Sequence, residues 1–401
     1  MAVAVVGTIG VVVALLFRGS PDGASDVDRP EVAGQSPVDT AEADVDWPMF
    51  HGDPHLSGRA GGTLVDRLEL AWRFETTGAV TAAPVIEAGV VYVGSADANV
   101  YAIDLETGEQ KWATGTGDAI EAPACVVEDS VYVGAADGLL YALNKADGAV
   151  RWTYETDGQI VGGANRTTSP DGERTWILVG SYDSLLHCVD AETGKAVWTY
   201  ETDNYVNGTP AIDNGKAVFG GCDALIHVVA LADGNEVRSI DSGAYIAGSG
   251  AYIEGQMYVG NYGGVFLRAD TGAGKIAWEY GDEESAILSS PAVAKDVVVF
   301  GARDGNVHCV RRDNGKPVWK FKTLDEVDSS PAICQDKVIV GSKDGRLYSI
   351  RLTDGSELWS YEIGQPVTSS PAISRGMVVI GSEDNYVYAF GKPLGGRDRE
   401  Q

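Results

Sequence analysis

The sequence predicts an all-β fold, an eight-bladed β-propeller of four-stranded antiparallel blades, on three observations. A glycine closes an apolar stretch at Gly94, Gly134, Gly180, Gly220, Gly260, Gly301, Gly341 and Gly381, with spacings of 40, 46, 40, 40, 41, 40 and 40 residues. A tryptophan recurs in phase with it, at Trp72, Trp112, Trp152, Trp198, Trp278, Trp319 and Trp359. The composition, with 51 glycines and many Val, Thr, Tyr and Trp residues, suits short strands joined by tight turns. Self-similarity at such a period marks a ring or stack of repeats, and eight copies leave little room for coincidence.

Each unit reads as four strands. Residues 289–321 show a small-residue strand, an apolar strand ending at Gly301, a turn, an alternating strand, a second turn and an outer strand bearing Trp319. Asp304-Gly305 is a hairpin signal, because a turn that needs positive φ tolerates Gly and Asn best; Asp137-Gly138, Asp344-Gly345 and Asp384-Asn385 fill the same slot. The later turn recurs at residues 104–108, 190–194 and 352–355, where an Asp or Thr side chain bonds the backbone and Gly takes the left-handed position. Four residues beyond that glycine stands the tryptophan, except where Arg238 occupies the position.

Trp72 precedes any complete unit but keeps the 40-residue spacing to Trp112. Residues 68–76 are therefore expected to supply the outer strand of a last blade whose three inner strands lie in residues 366–391. That closes the ring and removes exposed strand edges. Each tryptophan is expected to dock on the neighbouring blade, burying roughly 150–250 Å². The fourth blade, with Arg238, must dock differently, and it is expected to be the least regular.

The domain organisation follows. Residues 1–18 are expected to form an apolar N-terminal membrane anchor or signal-anchor, just long enough to cross a bilayer as a helix. Residues 19–46, with eight acids, one base and no aromatic, are expected to be an acidic disordered linker. The propeller spans 47–391 and a tail spans 392–401.

Thirty Lys and Arg stand against 58 Asp and Glu, a net charge of −28, which repels phosphate backbones and favours basic partners over nucleic acid. Five scattered cysteines, none in a C-x-x-C spacing, read as buried small hydrophobes.

Catalytic and metal-binding patterns do not emerge. His51 and His55 are four apart, but Gly52 and Pro54 between them oppose the helix that such a metal pair needs. His187, His227 and His308 fall seven residues after the marker glycine, where other units have Tyr101, Tyr141, Tyr348 and Tyr388, and so replace tyrosine in the architecture. Ser289, Ser329 and Ser369 open first strands and repeat with the fold. No cofactor is expected.

The strings TGEQKW, TGKAVW and SSPA, with WPMFHGDPHLSG at residues 47–58, resemble the pyrroloquinoline-quinone-like propeller repeat family. The quinoprotein dehydrogenases of that family carry adjacent cysteines beside the quinone and a calcium-binding carboxylate cluster. This chain has no adjacent cysteines, which argues against that activity. Within the family the chain resembles the BamB-like scaffolds, which assist insertion of β-barrel proteins into the outer membrane. The resemblance implies a non-catalytic scaffold with the propeller outside the cytoplasm and a protein or peptide partner; the alternative it leaves is a quinone- or small-ligand-binding propeller, a degenerate quinoprotein, or a sensory domain.

The candidate binding surface is one rim of the disc, where each outer strand runs into the next inner strand. These connections carry Glu121, Tyr205, Tyr245, Asp282, Glu283, Glu284, Asp325, Glu326 and Asp328, with Asp118, Asp157, Asp203, Asp241 and Glu362. Such a rim is expected to be a ring of carboxylates with two tyrosines, steering a basic segment to the mouth.

Overall fold

Strands form where the alternation of apolar and polar residues puts them. In the computed structural model, which describes residues 45–281 and 284–392, eight sheets of four antiparallel strands occupy residues 85–115, 125–155, 165–201, 211–241, 251–281, 292–322, 332–362 and 372–391. We number these blades 1 to 8. The fourth strand of blade 8 is Glu69–Glu75, paired antiparallel with Tyr386–Gly391, so both ends of the described chain meet in one blade as expected. Among the described residues no helix is long and apolar enough to cross a membrane. The expected anchor, nearly all of the linker, and Asp282 and Glu283 lie outside the described residues, as does the tail beyond Lys392.

The marker glycines answer to a close approach. A Cβ on Gly94 would strike the Ile120 side chain, and one on Gly180 would strike Val206, where the connection to the next blade passes over the strand end. Ile120 and Val206 are fully buried there.

The outer strand of every blade carries a β-bulge beside the docking position; in blade 1 Gln110 and Trp112 pair with Ile103 and Ala102, leaving Lys111 extra. A bulge re-aims the side chains beside it, and the ring that follows turns toward the next blade. Its indole N–H donates to a turn carbonyl there: Trp72 to Leu105 at 2.8 Å, Trp112 to Lys145 at 3.0 Å, Trp152 to Ala191 at 3.1 Å, Trp198 to Leu231 at 2.9 Å, Trp278 to Arg312 at 3.2 Å and Trp319 to Leu352 at 2.8 Å.

Each of these rings lies against the glycine of that turn. The position must be glycine twice over, since Gly194 has φ 68° and a Cβ on it would stand 2.6 Å from the Trp152 ring. Arg238 occupies the same place against Gly274. Trp359 has no such turn ahead of it, because the outer strand of blade 8 arrives from the N-terminus, and it packs edge-on against Phe390 instead.

Blade 5 keeps the common turn, with the Gly274 amide bonded to the Asp270 carbonyl at 2.8 Å. The larger departure is in blade 3, where the six extra residues lengthen the hairpin between Asn165–Thr168 and Thr175–Gly180.

The innermost layer is tied circumferentially. The Ser290 amide donates to Ser330 Oγ at 2.9 Å, Ser330 to Ser370 Oγ at 3.0 Å, Ser249 to Ser290 Oγ at 3.0 Å and Thr209 to Ser249 Oγ at 2.8 Å. The companion serines Ser289, Ser329 and Ser369 accept from the marker glycine amides of their own blades. The repeated serines thus join strands and blades.

Residues 46–60 form a hoop inside these inner strands. Its carbonyls accept inner-strand amides blade after blade in chain order: Trp47 from Ile86 at 2.7 Å, Pro48 from Val126 at 2.7 Å, Pro54 from Ile212 at 2.7 Å, His55 from Tyr252 at 3.0 Å, Ser57 from Val293 at 2.8 Å and Gly58 from Ile333 at 2.8 Å. Blade 3 contributes the Asn165 side chain, which donates to the Pro54 carbonyl at 2.9 Å, and blade 8 contributes Ser374, bonded to Asp46 at 3.4 Å. The circuit ends with Arg59–Ala60 as a parallel fifth strand on blade 7.

Trp47, Met49, Leu56 and His51 are buried within the hoop. Neither ring nitrogen of His51 meets a partner at hydrogen-bond geometry. Burial lowers its pKa from 6.5 to about 4, outweighing the carbonyls of Leu56 and Pro291, which favour the cation.

Two outcomes follow. Gly194→Ala is expected to cost about 2 kcal/mol or more, and a double-mutant cycle with Trp152→Ala should show strong coupling by denaturant unfolding; additive effects would contradict a ring seated on Gly194. For His51, the unfolded chain binds the extra proton between pH 6.5 and about 4, so stability is full above 6.5 and falls as pH drops toward 4. The loss should reach about 3 kcal/mol, and His51→Gln should remove that part of the acid slope. A variant with the wild-type slope would show that the ring does not titrate against folding.

Candidate functional site

The two faces of the disc differ. The turns between first and second strands and between third and fourth strands lie on the face where the hoop covers the channel. The opposite face carries the turns between second and third strands and the connections between blades.

This rim face is built in register. In every blade the residue two after the marker glycine donates its amide to a carbonyl in the connection that precedes that blade: Ala96 to Ala79, Ala136 to Ala119, Tyr182 to Gln159, Cys222 to Tyr205, Tyr262 to Tyr245, Arg303 to Ala286, Lys343 to Glu326 and Glu383 to Pro366. The backbone is constant and the side chains divide into sectors. Blades 1 and 2 present alanines, blades 3 to 5 present four tyrosines and Cys222, and blades 6 to 8 present charges.

The aromatic sector contains both expected tyrosines and two more. Tyr205 stacks on Tyr182 with ring centroids 4.6 Å apart and planes at 6°, and Tyr205 remains 46% exposed. Tyr245 and Tyr262, joined through the backbone bond of 2.7 Å, are 57% and 51% exposed. Burial raises the Tyr182 phenol, with Cys222, Glu121 and Tyr205 near enough to add to the effect. Tyr182 and Tyr262 were not singled out from sequence, because they sit in hairpin turns; their common position two after the marker glycine was the signal available.

The expected carboxylate ring is interrupted. Arg303 grips Asp328 through two bonds of 3.0 and 2.9 Å, and Lys343 reaches Glu326 at 2.7 Å and Asp328 at 2.8 Å. Burial works to raise the Asp328 carboxyl, but these cations hold it below the usual range. Asp325 is exposed and uses Oδ1 to cap the Glu326 amide at 2.8 Å. Glu121 and Glu284 are exposed. Asp282 and Glu283 lie outside the described residues.

The charge is segregated accordingly. Residues 77–281 carry 28 acids and ten bases, whereas residues 292–362 carry eleven of each. The acidic surface belongs to blades 1 to 5, where the tyrosines stand.

The histidine slot is structural in geometry. His187, His227 and His308 bond the turn aspartates Asp183, Asp223 and Asp304 through Nε2 at 3.0, 2.9 and 3.1 Å, as Tyr101 bonds Asp97 at 2.8 Å. Each histidine also meets a tyrosine of the preceding blade through Nδ1, at 3.0 Å from Tyr154, Tyr200 and Tyr280. In blades 1 and 7 the slot tyrosine meets a phenylalanine of the preceding blade instead, Phe74 beside Tyr101 and Phe321 beside Tyr348.

A recess of about 150 Å³ beside His308 is lined by Tyr280, Phe300 and Lys320, and a wider one of about 420 Å³ between blades 5 and 6 is lined by Tyr258, Arg268, Lys295, Asp296 and Arg312. Among the described residues no group of three or more His, Cys, Asp or Glu is placed to hold a metal. All five cysteines are free thiols, and burial raises Cys125 and Cys309 to about 12.

Eight blades, a strand shared between the chain ends and tryptophans seated on turn glycines define a tryptophan-docking propeller of the pyrroloquinoline-quinone-like class. The sequence profile of one family in that class, described as outer membrane protein assembly factor BamB, matches residues 60–174, 162–320 and 303–397, and the chain belongs to that family.

Similar solved structures include BamB from Moraxella catarrhalis, 18% identical over 81% of this chain and 100% of that one, with a TM-score of 0.69. The quinohemoprotein alcohol dehydrogenase from Comamonas testosteroni is 16% identical over 88% of this chain and 81% of that one, with a TM-score of 0.73. A europium-containing methanol dehydrogenase is 12% identical over 86% and 98%, with a TM-score of 0.71. At these identities the likeness is one of fold. No curated protein matches the chain.

Proposed function

We propose that this chain is a non-catalytic scaffold whose rim face binds a basic segment of a partner protein, in a BamB-like role at the extracytoplasmic side of a membrane. The observation that carries the reading is the tyrosine sector on blades 3 to 5. Large half-exposed aromatic rings, held by a constant backbone and set in the most acidic part of the molecule, are what a protein partner uses as anchors. The hoop covers the other face, where the described chain enters the disc at residues 45–47.

An enzymatic reading draws on the dehydrogenases that share the fold. The chemistry of this chain supports it poorly: the polar residues that recur do so with the blades. A bound quinone would announce itself by visible absorbance in the purified protein.

Capture from solubilised membranes tests the proposal. Wild-type protein should retain a partner whose binding weakens as salt is raised, and Tyr205→Ala with Tyr245→Ala should lose more than about 1 kcal/mol of affinity with little change in melting temperature. Undiminished binding by the double variant would place the partner elsewhere.

A further inference from the structure

The tyrosine sector carries a finer specificity than charge. Tyr182 and Tyr205 are stacked at 4.6 Å with planes only 6° apart, so one face of Tyr205 is covered by Tyr182 while the residue as a whole remains 46% exposed. Its carbonyl is fixed by the Cys222 amide at 3.0 Å, which holds the stack in place before any ligand arrives. Glu121, exposed and paired with no cation among the described residues, lies on the same face near Tyr182. On the far side of the sector the carboxylates Glu326 and Asp328 are already engaged by Lys343 and Arg303, so they offer little to an incoming cation.

We propose that the outer face of Tyr205 is an arginine-reading position, on which a guanidinium of an extended partner segment continues the Tyr182–Tyr205 stack while its charge is met by the acid excess of blades 1 to 5. The proposal rests on the basic-partner reading above and narrows it. A guanidinium is flat and weakly hydrated, so it lies parallel on a ring and still donates from its edge; an ammonium is compact, strongly hydrated and has no face to stack. Charge complementarity sets the occupant: the 28 acids against ten bases of residues 77–281 repel an acidic segment and attract a basic one.

The experiment uses the full chain and two labelled, end-blocked peptides of alternating glycine and a basic residue, one with three arginines and its twin with three lysines. Affinity is read by fluorescence anisotropy at two salt concentrations. The arginine peptide should bind about fivefold to tenfold more tightly than the lysine peptide. Tyr205→Leu keeps an apolar contact with Tyr182 and should bring the two affinities together, while Tyr205→Phe should keep the preference. Glu121→Gln should weaken both peptides alike.

Equal affinities for the two peptides in the wild type, both falling with salt, would overturn the arginine position and leave the basic-partner reading standing. A preference for arginine that survives Tyr205→Leu would also overturn it. If neither basic peptide bound and an acidic or neutral one did, the reading on which the proposal rests would fail with it.

Discussion

The hoop of residues 46–60 is the constraint on which the rest of the molecule depends. A propeller has to decide how its inner strands end near the axis, where amides that point into the channel lack a neighbouring strand. Here six of those amides, one from each of six blades, find carbonyls on a single segment that makes one circuit in chain order. A buried amide without an acceptor costs about 1–3 kcal/mol, so the hoop removes a penalty shared by most of the ring. It also joins blades that are far apart in the circle, which the docking tryptophans, acting between neighbours, cannot do.

Around that hoop, the repeated residues and the unrepeated ones divide the labour. Glycine, serine and tryptophan recur because each solves the same local problem: a strand end passed closely by the next connection, an amide that needs an acceptor, a turn that must seat a ring. The rim side chains are free of those duties, since the backbone bonds beneath them are identical in all eight blades whatever the residue. Alanine, tyrosine and paired charges can therefore occupy equivalent positions without altering the fold. A surface that varies on an invariant frame is where a propeller can acquire a partner.

Blade number, blade phase and the closing strand were legible in the sequence because they are periodic, and Trp72 alone, one spacing ahead of Trp112, was enough to place the closing strand. The hoop was not legible. It offers its partners carbonyls, which every residue has, and it therefore tolerates Pro48 and Pro54, whose missing N–H groups are not needed. Its sequence consequently carries no period and reads as a loop. The rim was half legible: Tyr205 and Tyr245 could be placed in connections between blades, but Arg303 and Lys343, which neutralise Glu326 and Asp328, sit in hairpin turns far from those carboxylates in sequence. Arg238 marked a real substitution in the docking position, yet the irregular hairpin is in blade 3, where the 46-residue spacing had already recorded it.

Native-state hydrogen exchange of the amides of Ile86, Val126, Ile212, Tyr252, Val293 and Ile333 tests the central role of the hoop most directly. If the hoop holds the ring, these six amides exchange together and only through global unfolding, with the same dependence on denaturant as the most protected amides of the blades. Fast or mutually independent exchange at these positions, while the amides between second and third strands stay protected, would show that the hoop peels away from an intact propeller and would contradict the account.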